Sequence, residues 1–222
     1  AQFPESNTHK QAASILATDE TNTKDEWLKQ ALQASGAEKT NIAGYKRGPN
    51  LLKNASFETN DGKLPANWKV RTYSAKGKDV EHAIETRASH IKSGKASIKI
   101  RSGSGHDTSI YSNVELKSGT TYALSAWIKT EGVNGGYGAL LNIHELQHEG
   151  KTKALKGNNN WEKIELIFES KQTGKLTVNC LFGGWGQAKG TAWYDDLSLQ
   201  EVLPIYKNVN KESSKQSIAK RV

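Results

Sequence analysis

Between His144 and His148 the chain reads His-Glu-Leu-Gln-His, residue types that at this spacing can do one specific kind of chemistry. On a helix, imidazoles four residues apart share a face and can hold one Zn²⁺, while the glutamate between them activates a water. On a strand the same residues separate. At a rise of about 3.3 Å per residue, positions four apart lie roughly 13 Å from one another. Gly135-Gly136 before the motif, the alternation along Ala139–Leu146 and Lys151-Thr-Lys153 after it favour a strand followed by a turn. A third ligand would have to be Glu162, Glu165 or Glu169, which share one further alternating segment. A zinc-dependent hydrolase acting through His144, Glu145 and His148 is therefore an alternative reading. The preferred one has His144 on a strand face and His148 in or beside the next turn, too far apart to share a metal. No Gly-x-Ser-x-Gly elbow and no Gly-Lys-Ser/Thr phosphate loop is present.

Aromatic and amide side chains in glycine-rich loops form a second set. Trp185 stands in Phe182-Gly-Gly-Trp-Gly-Gln187, where the glycines leave an indole few neighbours and Gln187 adds a bidentate amide. That indole either meets a ligand or folds back over the core. Tyr137 occupies a similar loop. Asn142 and His144 share one face of their strand, and Asn179 projects opposite the apolar face of its own; each either lines an open sheet or bonds across strands. Trp68, Trp161 and Trp193 read as structural, whereas Trp127 can face either the outer side of its sheet or the helical segment.

The elements that must position these residues are mostly strands. Ile98 and Ile100, then Ile110, Val114 and Leu116, then Tyr122, Leu124, Ala126 and Ile128, recur at a period of two, as do Ile164, Leu166 and Phe168, and Leu176, Val178, Cys180 and Phe182. Turn chemistry separates them at Asp61-Gly62, Ser93-Gly94, Ser118-Gly119, Asn134-Gly135-Gly136 and Thr173-Gly174. Strands recurring without intervening helices pair antiparallel and close most economically as a sandwich. Ahead of them, Ala12, Ile15, Leu16, Trp27, Leu28, Ala31 and Leu32 follow helical spacing over residues 8–35, and 37–49 read as linker. The expected organisation is thus a helical segment and linker over 1–49, a sandwich over 50–200 and a basic tail over 201–222.

Composition narrows the setting. The net charge of +8 favours acidic partners such as sulfated or uronic-acid polysaccharide, nucleic acid or an anionic surface, although the lysines are scattered as on any solvated surface. Arginines and aromatics do not interleave as in a nucleic-acid module, and no apolar run is long enough for a membrane helix. A single cysteine, Cys180, excludes an internal disulfide, and the absence of methionine suggests a processed chain or an excised piece of a longer one.

Two segments, Asn50-Leu-Leu-Lys-Asn-Ala-Ser-Phe-Glu58 and Gly190-Thr-Ala-Trp-Tyr-Asp-Asp-Leu-Ser-Leu199, resemble the first and last strands of the carbohydrate-binding jelly rolls of the family 4, 9, 16 and 22 type. The resemblance implies a noncatalytic module that takes an oligo- or polysaccharide, one possibly anionic, on a concave sheet and its rim loops, with Trp185, Gln187, Tyr137, Asn142, His144 and Asn179 as contact residues. Indole faces suit the apolar C–H patches of sugars. It also implies a structural Ca²⁺ between Glu58 and Asp196, or those acids bonding local amides instead. Through Asn179–Gln187 and Gly190–Trp193 the chain is further similar to an accessory domain lying between helical repeats and a haem domain in very large bacterial proteins. That likeness implies a secreted, periplasmic or cell-surface multidomain parent, with neighbouring domains as partners. The competing expectation is a structural or interaction domain that binds no glycan.

Overall fold

The computed structural model describes residues 42–73 and 79–206. The helical spacing over 8–35 and the tail beyond Tyr206 lie outside them. The chain divides into two compact units, of which Lys46–Leu203 holds the strands that matter here.

Among the described residues, ten strands make two antiparallel sheets. They are β1 (Ile42–Asn50), β2 (Lys69–Thr72), β3 (Val80–Glu85), β4 (Ser97–His106), β5 (Thr108–Leu116), β6 (Thr121–Gly135), β7 (Gly138–Ile143), β8 (Gly157–Glu169), β9 (Gly174–Gly183) and β10 (Ala188–Tyr206). The larger sheet runs β3-β4-β10-β6-β8 with β1 also on β10, and the smaller runs β2-β5-β9-β7. Each sheet turns one face to the core, as the period of two allows, and β7 is buried along its whole length. Ile98 and Ile100 from β4 and Leu124, Ala126 and Ile128 from β6 are fully buried, as are Ile110, Leu141, Val178, Cys180 and Phe182 from the smaller sheet. Tyr194 bridges the layers, its hydroxyl donating to Leu181 O at 2.7 Å. Burial pushes the Cys180 thiol well above its ordinary range, so this thiol is a packing group.

The fold is the antiparallel sandwich of the sequence analysis, with corrections at its ends. Residues 42–49, read above as linker, lie in β1, and β10 continues to Tyr206 past the point where the alternation stops. The strand expected over 139–146 ends at Ile143, after which His144–Leu146 form a single 3₁₀ turn. Trp68 is buried edge-on to Phe57 at 5.2 Å, with its indole N–H on Lys53 O and Asn54 O, both 3.2 Å away. Trp193 is buried and lies flat against His90, 4.2 Å between ring centres. Trp127 carries the Lys92 ammonium 3.8 Å from its ring centre.

Candidate functional site

The outer face of the smaller sheet brings together most of the candidate residues. Register sets its rows: Arg71 pairs with Ser109 and Ser109 with Leu181, while in the next row Tyr111 pairs with Asn179 and Asn179 with Asn142. Above the Leu181 and Asn142 end of these rows opens a cleft of about 190 Å³. Tyr73 and His144 stand at one side, stacked 14° from parallel with centres 5.9 Å apart, and Trp185 is on its lining too. Gln147, Asp107 and Gly184 complete the lining.

Trp185 is 44% exposed. It lies in the turn between β9 and β10, with a φ of +48° that a bulky L-residue seldom adopts. The neighbouring glycines make that turn possible. A Cβ on Gly183 would come within 2.6 Å of His106 O, and one on Gly136 within 2.5 Å of Gly183 O, so the two loops approach at a distance only glycine permits. Tyr137 meets the indole edge-on at 5.2 Å and His148 stacks on it at 5.1 Å. An indole held out in this way needs surrounding structure to keep it in a sparsely populated conformation.

The polar floor is more tightly tied than its sequence suggests. Asn179 is fully buried; its carbonyl accepts from Ser109 Oγ at 3.1 Å and its amide donates to Asn142 Oδ1 at 2.9 Å. It is thus a cross-strand tie beneath the cleft rather than part of its surface, whereas Asn142 reaches the lining. Gln187, paired with Trp185 in the sequence reading, is exposed beside Gly105 and is not among the cleft residues. Asp107, Tyr73 and Gln147 went unnoticed in the sequence. A lone acid after β4, an aromatic after β2 and a turn glutamine carry no local signature. Burial raises the Asp107 carboxyl above its ordinary range, against the pull of the Gly184 N–H that it accepts at 3.0 Å.

His144 and His148 do not sit on a helix: the first stacks on Tyr73 and the second on Trp185. Glu145 accepts from both the N–H and the hydroxyl of Thr177 at 2.8 Å, which turns it onto the sheet. Ser102, His106 and Asp79 form another suggestive cluster, but Ser102 Oγ at 2.7 Å and Asp79 Oδ1 at 3.7 Å both approach Nδ1 of the same fully buried imidazole. A nucleophile relay needs the nucleophile and the orienting acid on opposite nitrogens of the imidazole base.

Glu58 and Asp196 converge on the turn Lys92–Ala96. Glu58 accepts from Lys95 N at 3.0 and 3.1 Å and from Ala96 N at 3.3 Å, while Asp196 Oδ1 accepts from Ser93 Oγ at 2.7 Å. Asp195 accepts from Lys92 N at 2.9 Å and Ser93 N at 3.1 Å. Amide and hydroxyl donors thus face these carboxylates, where Ca²⁺ would take six to eight oxygens. No group of three or more His, Cys, Asp or Glu among the described residues is arranged to hold a metal ion. As arranged, the set fits hydrogen-bonded caps rather than the ion.

Two antiparallel sheets facing each other across a buried core make this a β-sandwich of the jelly-roll kind. The chain belongs to the carbohydrate-binding domain family of the 4 and 9 type, whose family model, described as "Carbohydrate binding domain", matches residues 49–180. It is 30% identical over 182 residues to the tRNA(Glu)-specific nuclease WapA of Bacillus subtilis subsp. natto, covering 74% of this chain and 7% of that protein. Among solved structures it is similar to the Stig cyclase Fisc from Fischerella sp. TAU, at a TM-score of 0.51 and 16% identity over 72% of this chain and 99% of that one. It is also similar to the CBM22-1 xylan-binding domain of Paenibacillus barcinonensis Xyn10C, at 0.47 and 16% over 70% and 96%. With TmCBM61, solved with β-1,4-galactotriose, the values are 0.47 and 22% over 68% and 98%. At its low identity the cyclase likeness is one of fold.

Proposed function

We propose that this chain is a noncatalytic module that binds an oligo- or polysaccharide in the cleft on the smaller sheet. Membership of the carbohydrate-binding family supports the class of ligand. The observation that carries the site is Trp185, 44% exposed in a left-handed conformation at the cleft lining. An indole offers an apolar face to the C–H patches of a sugar, while Asn142 and Gln147 supply polar groups that fix its orientation. Tyr137 and His148 hold the indole in place, and His144 backs Tyr73 on the other side. Polysaccharides are met outside the cytoplasm, which sets a secreted or surface-exposed parent protein as the matching context.

A glycan array followed by calorimetry on the best hit tests this reading. Replacing Trp185 by Ala should weaken binding about tenfold, the worth of one stacked aromatic, with the melting midpoint unchanged. An unfolded variant would assign the indole to the core instead. Failure of every glycan to bind would favour a structural domain that packs against neighbouring domains.

A further inference from the structure

The charges around the cleft point to the class of sugar, an inference that rests on the carbohydrate reading above. Two carboxylates near the cleft are engaged by the protein, Asp107 accepting from Gly184 N and Glu145 from Thr177, while Glu149 beside His148 is exposed. The cations are held differently. The Arg71 guanidinium lies 4.4 Å from the centre of the Tyr111 ring and 5.8 Å from that of Tyr73, and the Lys151 ammonium lies 4.9 Å from the centre of Tyr137.

Elsewhere on the molecule several cations meet acids, as Arg47 meets Glu165, Arg87 Glu85, Lys99 Glu81, Lys153 Glu162 and Lys171 Glu169, while Lys92 and Lys129 lie over the rings of Trp127 and Trp193 away from the cleft. Among the described residues neither Arg71 nor Lys151 is ion-paired. A cation resting on an aromatic face keeps its charge and fixes its position. A guanidinium in particular presents a planar fork matched to carboxylate or sulfate oxygens.

Register places the two on opposite sides of the site. Arg71 is in the row of Ser109 and Leu181, and Lys151 forms a β-bridge with Asn142 at the edge of β7. Leu181 and Asn142 line the cleft between them. Four inter-strand steps of about 4.8 Å separate the two backbones, roughly 19 Å, so a chain of several sugars crossing the strands can meet both cations where one sugar cannot.

We propose that the ligand is an acidic oligosaccharide, whose carboxylate or sulfate groups are received by Arg71 on one side of the cleft and by Lys151 on the other. Calorimetry on the whole chain with trigalacturonate, its methyl ester, a sulfated galactan oligosaccharide and neutral β-1,4-galactotriose provides the test. The acidic compounds should bind at least about tenfold more tightly than the neutral ones, as charge-assisted hydrogen bonds imply, and high salt should remove the difference. Comparing uronate with sulfate distinguishes the two sources of charge. Arg71→Gln and Lys151→Gln should each lower acidic binding towards the neutral level at an unchanged melting midpoint. If Arg71→Gln fails to fold, Lys151→Gln and the ester comparison still decide. Neutral and esterified sugars binding as tightly as acidic ones, and losing affinity in Trp185→Ala, would overturn the acidic ligand while leaving the carbohydrate site standing. No binding of any oligosaccharide would overturn both.

Discussion

At the scale of single residues, burial and charge decide what each side chain can do. His82 shares a 2.7 Å hydrogen bond with Thr108 Oγ1. Burial, then the neighbouring His106, lowers its pKa from 6.5 to about 4, against an opposing pull from Glu81. The unfolded chain therefore binds the proton more readily, so this histidine's contribution to stability is complete above pH 6.5 and is lost as pH falls towards 4. Asp195 works the other way. Burial raises it from 3.8 to about 6, so its folded form gains stability as pH falls through 6. Glu85, lowered to about 2 chiefly by the Arg87 guanidinium, matters only below pH 4.5. Melting midpoints taken between pH 6.5 and 5 should consequently slope upward with falling pH in His82→Gln relative to the parent chain. Identical slopes would show that the imidazole is not shielded. None of this was legible in the sequence, where His82 is one polar residue in a short strand; nor was Asp107, because burial is set by neighbours from distant segments. Trp185 was legible, since glycines on both sides leave an indole little local cover.

At the scale of elements, the turn Lys92–Ala96 shows how one short segment ties distant strands together. Gly94 has a φ of +68°, and a Cβ there would collide with Glu58 Oε1. Glu58 also accepts the N–H groups of the next two residues. Gly94→Ala should therefore cost at least about 2 kcal/mol, from the left-handed penalty and the displaced cap, read as a lower urea midpoint. Because the carboxylates here face donors, the melting midpoint should be the same with calcium and with a chelator. A rise with calcium would mean that the turn rearranges to present its carbonyl oxygens, a site at 100-fold saturation adding about 2.7 kcal/mol. The strands were readable wherever one face is buried, as in β5, β6 and β9, since the period of two records that burial. The end of β7 was not. The alternation of Ala139–Leu146 continues through residues that the 3₁₀ turn of His144–Leu146 bends away, and Gln147 then takes a φ of +47°.

At the scale of the whole molecule, the first and last described strands pair with each other, and one side chain adds to their backbone pairing. β6 accompanies β10 from Ala188 to Glu201, whereas β4 leaves it at Tyr194. β1 takes up β10 beyond that point, with Leu51 N donating to Leu199 O at 2.8 Å and Gln200 Nε2 to Gly48 O at 2.6 Å. Among the described strands β1 pairs with β10 alone, and such a one-sided position tolerates Gly44, Gly48 and Pro49 because unpaired N–H groups face out. That is why the segment reads as linker: no buried face imposes alternation on it. At its end Asn50 donates to Leu197 O at 2.9 Å, while its carbonyl oxygen accepts from Leu199 N at 3.0 Å and Leu52 N at 3.1 Å. One amide thus satisfies three backbone groups, two of them across a separation of nearly the whole domain. Asn50→Ala removes all three bonds without touching the core, at about 0.5 to 1.5 kcal/mol each and less where water can replace the partner. The expected loss is about 2 kcal/mol, seen as a lower urea midpoint with an unchanged denaturant slope, since the surface exposed on unfolding stays the same. Asn50→Asp keeps the acceptor and loses the donor, so it should fall between the two. A loss no greater than that of an exposed surface substitution would show that the backbone pairing of β1 with β10 suffices to hold the two strands together.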